Sequence, residues 1–330
     1  MERGASPYFS LSSRIPSFLL KWGTLLLAFF HSYTTFSQGC SDAGFCTMGA
    51  MRPNQAFSKK KNIQLNSVEI GNNIGYTKFN DVIVNYLVDL SIGIGSKSSF
   101  QVKLPYTFVY GPLASTHGLG DISASYTYSI VPKESYSIHL TMGAKIPTNS
   151  SNKEIDNLPL PMYYQTSLGT YDLVAGLSLT SSKWLLAFGY QMVVYNNNQN
   201  EFIWKPWLHT PDSAIAVKYP KSWNLKRGND IMLRIERNFR FSRLNFFIGL
   251  LPIYRINEDV IDVAQDPALV RKSVENSNGL VVNGLLGGGY QFSVRSGIKL
   301  LIGIKLMDRE TNPDGLSRVW VSNISYLYRF

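Results

Sequence analysis

This chain has little charge for its size. Asp, Glu, Lys and Arg together make 16% of its 330 residues, against about 25% in a typical soluble protein. It has only two cysteines and four histidines, which excludes a disulfide-stapled scaffold and a multi-ligand zinc domain as its basis. Long apolar runs are also missing. A membrane helix needs about 20 apolar residues in succession, and no stretch beyond the N-terminus supplies them. Mean hydropathy is only −0.05. A helical membrane protein is therefore excluded, and if the chain enters a bilayer it does so as strands. Basic clusters are scarce too. The formal net charge is +10, yet the longest basic run is Lys59-Lys60-Lys61. Nucleic-acid binding leaves a clustered electrostatic footprint, so no nucleic-acid partner is expected. No cofactor motif stands out.

What the chain has in quantity is aromatic side chains: 19 Tyr, 18 Phe and 6 Trp. Low charge, many aromatics and neutral hydropathy together fit a lipid-facing β-barrel, in which half the strand residues meet lipid and half meet water.

The N-terminal residues 1–38 read as an export signal. Arg14 and Lys21 are basic, Trp22 to Phe30 (WGTLLLAFF) form an apolar core, and small or polar residues follow to Gln38. An apolar core this short cannot span a bilayer as a helix. Residues 39–61 then form a short periplasmic segment containing Cys40 and Cys46. In an oxidising compartment this close pair is most simply a disulfide. Lipidation of Cys40 is the alternative, although Ser37 suits that motif poorly.

From residue 62 onward the governing signal is alternation with period two, which places every second side chain on one face of a strand. Trp320, Ile324, Tyr326, Tyr328 and Phe330 share one face, with Asn323, Ser325 and Arg329 on the other. Ile298, Leu300, Ile302, Ile304 and Leu306 alternate with Lys299, Leu301, Gly303 and Lys305. Tyr136, Ile138, Leu140 and Met142 alternate with Ser137, His139 and Thr141. Twelve such segments are expected, near 62–77, 81–93, 98–111, 121–131, 135–147, 170–181, 183–196, 229–239, 241–256, 279–293, 295–307 and 317–330. Pro105 and Pro252 interrupt two of them and belong at bulges or strand ends, because proline cannot donate to a ladder. From the second strand onward, tight links such as Ser181-Ser182 alternate with long ones near 112–120, 148–169, 197–228, 257–278 and 308–316. Short periplasmic turns alternating with long outer loops characterise a transmembrane barrel. The fold class is therefore all-β: one transmembrane antiparallel barrel of about twelve strands over 62–330.

The residues Gly118-Leu119-Gly120-Asp121, opening the strand Ile122 to Ile130 (ISASYTYSI), resemble an outer-membrane family named for the meta-pathway of phenol degradation. That family looks distantly similar to the fatty-acid porins. Thr170 to Ser178 (TYDLVAGLS), followed by a two-residue turn and Trp184, resembles its next hairpin. The terminal Phe330 resembles the signal by which barrels are recognised by the outer-membrane assembly machinery. The resemblance covers about 62–330 and implies a bacterial outer-membrane location, a lipid environment and transport of small solutes. It carries over no catalytic residues.

Alternation assigns Asp89, Lys103, Lys145, Asp172, Arg234, Glu236, Lys299, Lys305 and Arg329 to the lumen. Six of the nine are basic. Such a set could act as a selectivity field for anionic or amphipathic solutes. It could equally form a salt-bridged plug, with Arg234 and Glu236 as a pair. His139 also faces inward. A hydrolytic Ser–His pair needs contact and an orienting group, which neighbours two apart on one strand seldom achieve. No enzyme activity is expected, with an outer-membrane lipid hydrolase as the alternative to carry. A structural barrel anchoring partners through its long loops is another. Trp204, Trp207 and Trp223 either pack the longest loop over the barrel mouth or offer an aromatic surface for a ligand. Gly287-Gly288-Gly289 reads as close backbone approach within a strand.

Overall fold

A computed structural model describes residues 63–132, 135–265 and 268–330. The expected export signal, the 39–61 segment and the Cys40–Cys46 pair lie outside these residues.

The described chain forms twelve long strands: β1 (Ile63–Tyr76), β2 (Val82–Ile94), β3 (Ser98–Tyr110), β4 (Ile122–Pro132), β5 (Tyr136–Ile146), β6 (Thr170–Ser181), β7 (Trp184–Asn196), β8 (Asp230–Arg240), β9 (Leu244–Arg255), β10 (Gly279–Gln291), β11 (Ser296–Met307) and β12 (Trp320–Arg329). Each pairs antiparallel with its sequence neighbours. The sheet closes where β1 meets β12, with Ser67 opposite Arg329 and Tyr76 opposite Trp320. Closure leaves no free edge, so the strands find their backbone partners within the sheet, as a bilayer demands. Among the described residues no helix is long and apolar enough to cross a membrane.

The alternation in the sequence becomes the two surfaces of the barrel. On β6, Thr170, Asp172, Val174, Gly176 and Ser178 are buried, while Tyr171, Leu173, Leu177 and Leu179 are exposed. The same division holds on β7, where Trp184, Leu186 and Phe188 face outward. The outer surface is thus a continuous band of large apolar and aromatic side chains, far larger than the few hundred Å² of apolar patch that a soluble monomer tolerates.

Both prolines fall at interruptions of the ladder. Opposite Pro105 the fourth strand breaks in two. Its upper part, a short strand at Ser115–Leu119, pairs with Tyr106 to Tyr110, and β4 itself pairs with Ser98 to Lys103. The stretch expected as loop near 112–120 is therefore mostly strand. The sequence pattern missed it because Gly118 and Gly120 carry no side chain to alternate. Pro252 lies where pairing between β8 and β9 lapses, between Leu250 and Ile253.

Beyond the strands, the long loops carry structure of their own. One hairpin joins Glu154–Ile155 to Leu158–Pro159, and another joins Val260–Gln265 to Ala268–Ser273. Short helical turns occupy Met162–Tyr164, Lys205–His209 and Ser213–Ala216. These loops share two apolar cores. Leu160, Tyr163, Tyr164, Phe202, Trp207 and Tyr219 pack with Ile83 and Val109 at the upper ends of β2 and β3. Met162, Leu168, Leu225 and Ile261 form the second. The result is a lid seated on the long-loop end of the barrel.

Candidate functional site: the barrel interior and its lid

The interior has two unlike sides. Across β1–β3 and β11–β12 it is polar. Lys103 pairs with Asp89 at 3.5 Å, and Gln101 donates to both Asp89 oxygens at 2.7 and 2.9 Å. Lys299 reaches over β12 to Glu69 at 2.5 Å, where Ser325 donates as well. Glu69, which disturbs the alternation of β1, does so because it turns inward after a bulge between Leu65 and Ser67. On the opposite side, Val174, Leu185, Ala187, Met232, Phe247, Leu251 and Leu285 make an apolar wall over β6–β10. Arg234 and Glu236 are set into this wall and bond to one another, both fully buried. The ring of Phe247 lies across Gly287, where an added Cβ would sit 2.3 Å from it. That contact explains why the strand is glycine there.

Nearer the lid the charges form a network. Lys145 on β5 pairs with Asp172 on β6 at 3.0 Å. Asp172 also faces Arg227, from the longest loop, at 3.5 Å. Arg255 at the end of β9 contacts three carboxylates: Asp230 at 2.7 Å, Asp259 at 2.6 Å and Asp314 at 2.9 Å. Arg227 and Arg309 flank Asp314 at 3.5 and 3.6 Å. Three loops and four strands are therefore tied together by buried ion pairs. Burial pushes the Asp314 carboxyl upward, but the guanidiniums of Arg255, Arg309 and Arg227 outweigh it and hold the group well below the usual carboxylate range. Asp259 goes the other way, since burial outweighs Arg255 and nearby Asp314 adds repulsion.

A second tie joins the lid to the β1–β2 turn. Asp81 accepts hydrogen bonds from Thr77 at 2.7 Å, Tyr164 at 2.8 Å and Tyr219 at 2.7 Å. Burial and the adjacent Asp81 carboxylate raise both phenols well above their ordinary value, so they remain donors. Trp207 is buried and donates to the Pro159 carbonyl at 2.9 Å, while Trp204 donates to the Tyr219 carbonyl under a covering Lys221 ammonium. The two tryptophans pack the loop over the mouth. Beneath the lid is a cavity of about 70 Å³, lined among others by Asn85, Thr107, Asp121, Lys145, Thr166 and Arg318. It has room for a few waters and falls well short of the about 300 Å³ of an ordinary ligand pocket.

Asp89, Lys103, His139, Lys145, Asp172, Arg234, Glu236 and Lys305 are all buried on the inner face. Lys305 bonds Asp308 and Ser317 of the last long loop. Lys299 is partly exposed, and Arg329 is exposed at the short-turn end. His139 meets its serine across strands: Ser129 lies 2.9 Å from Nδ1, and Thr180 lies 3.3 Å from Nε2. A hydroxyl stands where a hydrolytic triad places a carboxylate.

The groups not expected from sequence are Glu69, Arg227, Asp230, Arg255, Asp259, Arg309 and Asp314. Four of them are acidic and three basic, so they leave a small basic excess. Asp230 and Arg255 could have been found, because each lies on the inward alternation of its strand. The loop residues Arg227, Asp259, Arg309 and Asp314 carry no such signal, since charged loops read as solvated.

The described residues thus form a closed twelve-stranded barrel of the outer-membrane type, amphipathic inside and capped by its own loops. No protein-family model and no curated sequence matches the chain. Among solved structures it is similar to an outer membrane channel from Pseudomonas putida F1, with a TM-score of 0.54 at 12% identity over 84% of this chain and 99% of that one. It also matches the NanC porin, with a TM-score of 0.43 at 10% identity over 81% and 99% of the two chains. The CymD monoaromatic hydrocarbon channel aligns with a TM-score of 0.40 at 12% identity over 91% and 99%. At 12% identity the likeness to the Pseudomonas channel shows the fold alone.

Proposed function

We propose that this chain is a bacterial outer-membrane channel for small solutes, held closed by its lid in the conformation described. The observation that carries this reading is the closed barrel with an apolar exterior and an interior divided into a charged side and an apolar side. A uniformly polar lumen would suit sugars and ions. A divided lumen suits molecules that are themselves amphipathic: an apolar body against Phe247, Leu251 and Leu285, and a polar or anionic group toward Lys103 and Lys299. The sequence resemblance to the meta-pathway phenol family and the fold likeness to the Pseudomonas channel point the same way.

Planar-bilayer conductance and liposome swelling with purified protein test this reading. Wild type should conduct rarely, and a variant with a loosened lid should conduct often. Swelling should be faster with small aromatic carboxylates than with sugars of equal size. If no variant conducts and no solute swells the liposomes, a structural or hydrolytic barrel remains. Phospholipid release by wild type compared with Ser129→Ala would then choose between those two.

A further inference from the structure

The two ends of the barrel carry charge differently. Four of the five long links mix signs: Lys153 adjoins Glu154, Asp212 is followed by Lys218, Asp262 pairs with Arg271, and Glu310 follows Arg309, while 112–120 carries no charged side chain. At the other end every charged residue of the described turns is basic, and Glu236, next to Arg237, is buried inward against Arg234. The turns hold Lys97, Lys183, Arg240, Arg243 and Arg295, and the strand ends add Arg237 and Arg329. All but the half-buried Arg237 are exposed, and no described carboxylate pairs with any of them. Seven like charges on one rim repel one another. An arrangement of this kind is stable when an anionic partner neutralises it.

Part of this rim faces lipid. Arg237 lies opposite Trp184 in the β7–β8 ladder and on its outward face. Its guanidinium sits 4.9 Å from the Trp184 ring and 5.7 Å from that of Phe239. Phe239 and Phe241 in turn stack on Phe246 at 4.6 and 5.8 Å. Aromatic rings of this kind settle at headgroup level, and an arginine beside them places its charge in the phosphate layer. Arg240 and Arg243 follow within the same hairpin.

We infer that the rim formed by β7, β8 and β9 at the short-turn end binds the headgroups of anionic phospholipids in the adjoining leaflet. The inference rests on the outer-membrane reading above and adds a lipid class and a location to it. A guanidinium presents a fork that matches phosphate, and each cation near an anionic surface contributes about 1 kcal/mol, or about fivefold in affinity.

The experiment uses the purified chain reconstituted in phosphatidylcholine vesicles containing brominated phosphatidylglycerol or brominated phosphatidylcholine at equal mole fraction. Bromine quenches nearby indoles, and the Trp184 contribution is the difference between wild type and Trp184→Phe. Brominated phosphatidylglycerol should quench that contribution with about fivefold or greater preference. In the variant Arg237→Gln/Arg240→Gln/Arg243→Gln the preference should fall toward one while quenching by phosphatidylcholine stays unchanged. Equal quenching by both lipids in wild type overturns the inference and leaves the membrane reading intact. A chain that fails to insert, with no heat-dependent shift on a gel, overturns both.

Discussion

Arg255 shows how single residues work in this molecule. Its guanidinium is buried at the top of β9 and touches Asp230, Asp259 and Asp314. Taking these charges out of water is costly, so the cluster contributes specificity more than net stability. Removing one partner is a different matter, because it leaves uncompensated charge in a dry site, typically at about 3–5 kcal/mol. Asp314 and Asp259 should respond differently. The Asp314 carboxyl lies below its unfolded value of about 3.9, so its contribution is complete at neutral pH and is lost as pH falls below about 4. The Asp259 carboxyl is raised, so it contributes in acid and loses that contribution as pH rises through its folded value. Asp314→Asn is therefore expected to destabilise the lid by about 3 kcal/mol at pH 7, more than Asp259→Asn does. The gap between Asp314→Asn and wild type should narrow from pH 7 to pH 3, without closing there, because the folded carboxyl lies well below the usual range. Urea titrations at pH 7 and pH 3, read by protease sensitivity of the loops, check this. Equal effects of the two variants at pH 7 would show that burial and charge are not balanced as described.

Among the elements, the lid is the part that the proposed channel reading requires to move. Its loops hold an apolar core of their own around Trp207, Phe202 and Tyr163. They are fastened to the barrel by the Asp81 cluster, by the arginine–aspartate network and by Lys305, which bonds Asp308 and Ser317. Trp207→Ala removes a side chain that is 1% exposed, a change that costs about 3–5 kcal/mol in a packed core. Limited proteolysis should then cut within residues 197–229 while the barrel keeps its heat-dependent gel mobility. The strands should not notice the change, because their pairing runs entirely between neighbours. Asp81→Ala releases the phenols of Tyr164 and Tyr219 together, and it should raise the frequency of channel opening more than Tyr164→Phe, which gives up one donor and leaves the other. Single-channel recordings decide the order.

For the whole molecule, the proposed function expects a channel whose resting state is closed. On the proposed channel reading, loosening the lid should increase conductance without changing which solutes pass, because the divided interior that would select them lies below it. Replacing apolar-wall residues has the converse effect. Phe247→Asn would place a polar side chain on the smooth side, and swelling with aromatic solutes should slow several-fold relative to swelling with small ions. An unchanged ratio would argue that solutes do not touch that wall.

The amino-acid sequence by itself determined the strands, their faces and their order around the barrel. Period-two alternation is local physics: each side chain must face lipid or lumen, and the choice is visible two residues at a time. Closure then follows, since a bilayer penalises any free edge. The inward setting of residues such as Lys145, Asp172 and Arg234 was legible for the same reason. Only the tertiary structure decided how the interior is filled. Ion pairs such as Arg255 with Asp314 join residues 59 positions apart, through a loop whose charges carry no periodicity. The apolar wall was hidden as well, because Phe247 and Leu251 lie on a strand that is apolar on both faces, so alternation of polarity could not separate inside from outside. Whether the lumen is open depends on where five loops fold, and a loop's path is set by long-range contacts such as those of Asp81 with Tyr164 and Tyr219, which no local pattern encodes.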